Sequence, residues 1–313
     1  MQRTKHYRGR IGQIPIYLGK CFRMFVYMDD WKVLPMAAII AGLVTFVVKG
    51  TMGINMEGTM KGSLALSCIC IWNGFFNSIQ VVCREREILK REHRSGMHIT
   101  SYISANMIYQ ACLCLVQSII TITVCKAMGM ALPTQGIATP FAILDMCITF
   151  FLITYASDMM SLWISCIAKN TTAAMTMMPF ILIFQLLFSG AVFSLTGSAE
   201  VLSNFTIAKW GMCAICATAS YNSLPMVSVW NMMKQLQNYE YNGMQPIKLV
   251  VDNIEANGRI DEFCLQVGQS SQKIEYASTN ANLTDCWMTL VIFIFVFAVL
   301  AVLFLKGIDK DKR

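Results

Sequence analysis

The sequence predicts an all-α polytopic membrane protein. It is expected to have six transmembrane helices, an N-terminal amphipathic connecting helix, a re-entrant segment and a small extracellular domain before the last helix. Three observations carry this. Only 14% of the 313 residues are charged and the mean hydropathy is +0.53, whereas a soluble domain carries about 25% charged residues. Long uncharged runs recur at the length of about 20 residues that crosses a bilayer as helix. They are continuous rather than alternating, which selects helices over a barrel. Finally, the uncharged run 62–82 stops abruptly at Cys83-Arg-Glu-Arg-Glu-Ile-Leu-Lys-Arg-Glu-His-Arg-Ser-Gly96, as a helix does on leaving the membrane.

Residues 1–32 form the predicted cytoplasmic tail and connecting helix. They hold seven Lys/Arg against two acids, with no apolar core of a secretory signal, so the chain is expected to start in the cytoplasm. Ile14, Tyr17, Leu18, Cys21, Phe22 and Phe25 recur on one helical face, with Lys20 and Arg23 on others. That pattern predicts a helix lying along the membrane surface, its basic side in the headgroups; packing on protein is the alternative. Asp29-Asp30-Trp31-Lys32 marks the turn into the membrane.

The membrane domain is placed at 33–306. Its first span is expected at about 31–52, with Trp31 and Lys32 as interfacial anchors. A short Gly-rich loop leads to the second span at 62–82, and the charged segment 83–96 follows. The third span lies in 99–125, the fourth within 137–168, the fifth in 170–199 and the last at 286–305. The stretch 210–233 is also uncharged, but Gly211, Ser220, Asn222, Ser223 and Pro225 break and polarise it. Charge counting decides its fate. If it does not cross, both termini and the 83–98 loop share one side, which then holds 17 of the 25 Lys/Arg. If it does cross, the basic tail 307–313 faces out. The segment 208–230 is therefore expected to be re-entrant. The following 231–285, with seven acids against four bases, is expected to be extracellular.

In that order the chain resembles the transmembrane half of an ABC exporter of the ABCG, or ABC-2 permease, type. An amphipathic connecting helix precedes the first span. A charged helix with Glu85, Glu92 and Ser95-Gly96 follows the second. Tyr102 comes early in the third, Ala168-Lys169-Asn170 joins the fourth and fifth, and Leu187-Phe188-Ser189-Gly190 closes the fifth. A permease subunit is not itself an enzyme, and these 313 residues contain no Gly-x-x-x-x-Gly-Lys-Ser/Thr phosphate loop. The resemblance thus implies ATP and Mg on a partner ABC ATPase subunit. It further implies a homo- or heterodimer of permeases in contact with membrane lipids, in a bacterial cell membrane, exporting a hydrophobic or amphipathic substrate. No nucleic acid is expected as a partner.

The segment 83–96 becomes the expected coupling helix, with Ile88 and Leu89 as its apolar contacts to the ATPase and Glu85 and Glu92 as its polar ones. The resemblance sets second and fifth spans around the cargo path. Asn73, Phe76 and Asn77, with Pro179, Ile183 and Phe184, are then substrate-cavity candidates, since aromatic and amide groups hold flat amphipathic molecules; interhelical packing is the alternative. Leu187, Phe188, Val192 and Phe193 are candidates for an apolar outer plug.

Two acids at span depth, Asp145 and Asp158, are read either as a cation or proton contact or as paired with polar neighbours. Those neighbours are Thr139 or Thr149 for Asp145 and Thr154, Ser157 or Ser161 for Asp158; pairing is preferred. Cys264 and Cys286, both on the expected outside, are a possible disulfide. Cys213-Ala-Ile-Cys216 reads as packing, and His93 and His98 do not share a helix face, so no metal site is expected. The sequons at Asn204 and Asn282 have no meaning in a bacterial cell. An intramembrane hydrolase lacks its motifs here. A ligand-binding sensor or scaffold built on 231–285 is the competing class.

Overall fold

A computed structural model describes residues 9–28, 30–193, 195–240 and 245–307, and these are helical without a strand. The basic start 1–8, Asp29 and the tail 308–313, all used in the charge count, lie outside the described residues.

Helix α1 (Arg10–Tyr27) precedes a short 3-10 turn (Asp30–Lys32) and α2 (Val33–Val48). Next come α3 (Met56–Ser78), α4 (Val81–Arg94), α5 (Ile99–Ala127), α6 (Ala142–Ile167) and α7 (Thr171–Leu187). Among the described residues, five segments are long and apolar enough to cross a membrane: Asp30–Val48, Met56–Arg94, Ile99–Ala127, Ala142–Ile167 and the final helix, Asn280–Leu305. The fifth predicted span is shorter than its uncharged run, because α7 ends where Ser189-Gly190 turns the chain, with Gly190 at φ +80. Its 17 residues sit at the lower limit of spanning length.

Local chemistry sets the boundaries. Asn55 Oδ1 accepts from Gly58 N at 2.7 Å and starts α3; Asn170 Oδ1 accepts from Ala173 N at 2.7 Å and starts α7. Gly96, at φ +107, lets the chain leave α4, as the sequence predicts. Gly53, at φ +76, passes so close to α5's exit that a Cβ would sit 2.6 Å from Ala131 O.

The bundle is built on α3 and α6, which run side by side in one direction. Gly74 lies against Thr154, Ser161 Oγ donates to Phe75 O at 2.9 Å, and Ser165 Oγ receives Val82 N at 3.1 Å. A Cβ on Gly74 would collide with the Thr154 carbonyl oxygen. Gly74→Val is therefore expected to cost about 1–3 kcal/mol by overpacking, read as a lower unfolding temperature of the detergent-solubilised protein. Gly50→Ala, which meets nothing within 4 Å, is the neutral control.

Beyond α7 come α8 (Ser198–Ser203) and α9 (Ile207–Thr218). Apart from Trp210, every residue of α9 is buried, against α3, α6 and α13. Its 12 residues reach about 18 Å, well short of a bilayer core of about 30 Å. Both flanks are tied to one end of the bundle. Thr206 Oγ1 donates to Phe188 O at 3.3 Å, and Met56 N donates to Pro225 O at 3.0 Å.

Helices α10 (Ser228–Leu236), α11 (Pro246–Ala256) and α12 (Ile260–Ser270) form a small unit around Trp230, Val251 and Cys264. A 3-10 turn (Ile274–Tyr276) leads to α13 (Asn280–Leu305). Leu283, Cys286, Leu290, Ile294, Ala301 and Leu305 make the buried stripe of α13, while Ile292, Phe295, Val299 and Leu303 are exposed, as for a helix with one side on lipid.

Two expectations change here. The apolar side of α1 rests on α5 rather than only on a membrane: Tyr17 packs edge-on to Tyr102 at 5.9 Å and Phe22 to Tyr109 at 5.5 Å. Cys264 and Cys286 are both free thiols. The pairing fails because each is spent in a different core, Cys264 with Trp230 and Cys286 with Met56 and Tyr276.

Candidate functional site

The two ends of α3 are chemically distinct. At its start, the Glu57 carboxylate accepts from Ser228 N at 2.7 Å and Val227 N at 3.4 Å, which seats the α10–α12 unit. At its finish, after a turn at Ile79-Gln80, the chain continues as α4. With 23 residues between them, the two features are separated by about 35 Å of helix.

Helix α4 is held on two sides. Arg86 Nη1 donates to Cys166 O at 3.1 Å and Ala168 O at 2.9 Å, capping the C-terminal carbonyls of α6. Ser165 Oγ receives Val82 N and Cys83 N at 3.1 and 3.2 Å. On the other side Lys20 Nζ of α1 meets Glu85 Oε2 at 2.9 Å and Glu92 Oε1 at 3.9 Å. Arg84 reaches Asp30 at 3.5 Å. Burial, together with the Glu92 charge, pushes the Tyr17 phenol up to about 12, so the α1–α4 joint holds a neutral Tyr beside its ion pairs.

This arrangement revises the coupling candidates. Leu89 is fully buried in the bundle core and does not face a partner. Glu85 is buried and occupied by Lys20. Ile88 is 41% exposed, and Glu92 is partly open. Of the two expected apolar contacts, only Ile88 reaches the surface. Sequence reasoning missed Arg86 and Lys20, whose partners lie 80 and 65 residues away and leave no local signal.

Beside this joint a cleft of about 190 Å³ opens between α1, α3, α4, α5 and the start of α7. Phe76 and Asn77 line it, as do Cys21, Asn106, Tyr109 and Gln110. Asn77 is fixed by a reciprocal amide pair with Gln117, at 2.8 and 3.0 Å. Asn73 is turned into the bundle and is 4% exposed, so it does not open to the cleft. Pro179, Ile183 and Phe184 are not brought to the cleft either; they lie on the exposed face of α7. The sequence reading passed over the α5 amides, although Asn106, Gln110 and Gln117 fall at helical spacing in an uncharged run.

The four plug candidates sit at the far end of α7. Phe184 and Phe188 rings are 4.7 Å apart, Leu187 is 38% exposed, and Val192 and Phe193 project at 48% and 56%. This is the end tied to α9 and, through the Lys209–Glu275 ion pair at 3.5 Å, to the segment before α13.

Asp145 and Asp158 separate sharply. Asp145 accepts three backbone amides, from Ile137 at 2.6 Å, Ala138 at 3.0 Å and Thr139 at 2.9 Å, so it organises the loop before α6. Asp158 lacks the partners expected for it. Ser157 Oγ donates to Ile153 O and Ser161 Oγ to Phe75 O, and among the described residues neither Asp158 oxygen has a hydrogen-bond partner. Among the described residues no group of three or more His, Cys, Asp or Glu is placed to hold a metal.

A sequence model of the ABC-2 type transporter family matches residues 19–216, from the middle of α1 to the end of α9. An ABC transporter ATP-binding/permease protein of Mycobacterium tuberculosis is 29% identical over 196 residues. The aligned stretch is 59% of this chain and 22% of that protein, so the chain spans about a fifth of the relative it matches.

Proposed function

The chain belongs to the ABC-2 type transporter family, and on that premise we propose that it is the permease of an ATP-driven exporter whose hydrolysis takes place on a separate ABC ATPase subunit. The observation that carries this is the double clamp on α4. A charged helix continuous with α3, hooked to the α6 carbonyls by Arg86 and to α1 by Lys20, moves three helices when it is pushed. ATP and Mg belong to the partner. The mycobacterial relative's name joins ATP-binding and permease functions in one protein, which supports the pairing of this fold with an ATPase.

In this reading α4 faces the cytoplasm with both termini, and α7 is the fifth crossing, which makes six with α13. α9 is re-entrant and α10–α12 lie outside. Two copies enclose the path of a hydrophobic or amphipathic substrate, each contributing α3 and the exposed face of α7. The cleft at Phe76 and Asn77 then opens near the cytoplasmic leaflet. It offers amides to a polar head and aromatic faces to an apolar body.

Position 88 tests the partner contact. Ile88→Asp leaves the bundle core untouched, because the side chain is 41% exposed. It is expected to lower co-purification of the ATPase by about tenfold, the equivalent of about 1.4 kcal/mol at an apolar contact. Unchanged co-purification places the ATPase elsewhere.

A further inference from the structure

We propose that Asp158 is a proton-binding site: a carboxylic acid held neutral in the seam between α3 and α6. The case rests on the contrast with Asp145 on the same helix. Asp145 is fully buried but receives three N–H donors, which is how a protein stabilises a carboxylate. Asp158 is fully buried, receives none, and has both oxygens unpartnered.

Its surroundings supply no compensating charge. Among the described residues Ser78 of α3 is the one side-chain hydrogen-bonding group set against it, and Ser78 Oγ also lacks a partner in bonding geometry. A single hydroxyl offers at most one donor to a carboxylate's several acceptor sites. The titratable groups within electrostatic reach are Tyr109 and Cys114 of α5 and Tyr155 of α6 itself, all uncharged in their protonated forms. The helices packed on α6 bring no cation to this level. α3 is uncharged after Lys61, α5 before Lys126, α7 throughout and α13 after Asp285; Arg84 and Arg86 of α4 are committed to Asp30 and the α6 carbonyls, and Lys209 of α9 to Asn204 and Glu275.

Both Asp158 oxygens are also closed to solvent. Gly74 of α3 lies so close that a Cβ there would collide with the Thr154 carbonyl and approach Asp158 N to 2.8 Å. An ionised carboxylate buried without donors or counter-charge is far costlier than the protonated acid. A proton answers that cost without any further partner.

The site has a consequence for the mechanism. Asp158, Ser161 and Ser165 follow one another at spacings of three and four on the face of α6 that meets α3 and α4. The proton keeps charge out of the seam through which α4 is joined to the bundle. Tyr109 both lines the cleft and lies within electrostatic reach of Asp158.

Infrared difference spectroscopy tests this on the purified chain in lipid nanodiscs at pH 7, comparing wild type with Asp158→Asn. The experiment needs neither ATPase nor cargo, so its outcome is independent of the transport reading. The wild type is expected to show a protonated-carboxyl C=O band that shifts in heavy water and is missing from the variant. That band should persist far above pH 4, near which a free aspartate ionises (about 3.9). If the difference spectrum contains only carboxylate stretches, Asp158 is ionised and the proposal fails. Should the variant not fold, the wild type with carbon-13 aspartate decides alone: a protonated-carboxyl band that moves with the label supports the proposal, and the absence of any such band overturns it.

Discussion

Glu85→Lys is expected to uncouple transport from ATP hydrolysis while leaving the protein inserted in the membrane. The substitution sets a second ammonium against Lys20, which now lies 2.9 Å from the carboxylate. Breaking a buried pair costs about 3–5 kcal/mol. The lower end applies, because the Lys20 side chain keeps 29% exposure. A penalty of about 3 kcal/mol opens the joint between α1 and α4 in most molecules. Substrate-stimulated ATPase activity should then fall about tenfold or more, toward the basal rate. The reciprocal variant Lys20→Glu should fail in the same way. The double exchange, which restores opposite charges, should recover part of the activity. Recovery separates loss of the pair from simple misfolding.

Asp145→Ala should be the most destabilising single change in the fold. It leaves three part-buried amides of the 137–139 loop without an acceptor, each worth at most about 1–3 kcal/mol. A total of about 4 kcal/mol is expected, read as a fall in unfolding temperature of the solubilised protein. Asp145→Asn keeps the volume and one acceptor oxygen, and so should fall between. Asp158→Asn removes no hydrogen bond given in the structure and should leave thermal stability near wild type. A large loss at both positions would mean that the two acids are not distinguished by their donors.

The sequence carried the spanning helices because they are long, largely uncharged runs with a cap or a charge at their ends. Asn55, Gly96 and Asn170 stand where the structure begins or ends helices. The family was legible from the order of those elements together with the charged segment. The side-chain assignments were less so, for a physical reason. Which way Leu89 points depends on how α4 rolls against α6, and that roll is fixed by Arg86 reaching two carbonyls 80 and 82 residues on. Ile88 and Leu89 look alike in sequence, yet one is 41% exposed and the other fully buried. The disulfide expectation failed likewise, since a shared side of the membrane does not bring two thiols into one core. For Asp158, neighbouring hydroxyls looked sufficient, but helix geometry turns Ser157 and Ser161 to backbone carbonyls instead.

The central claim is that α4, and not the α10–α12 unit at the opposite end of α3, receives the ATPase. Site-specific photo-crosslinking in membranes that also contain the ATPase tests it most directly, with the reactive group placed at Ile88 in one sample and at Leu249, 73% exposed on α11, in the other. The account predicts capture of an ABC ATPase from position 88 and none from position 249. Capture from position 249, or none from position 88, would contradict it.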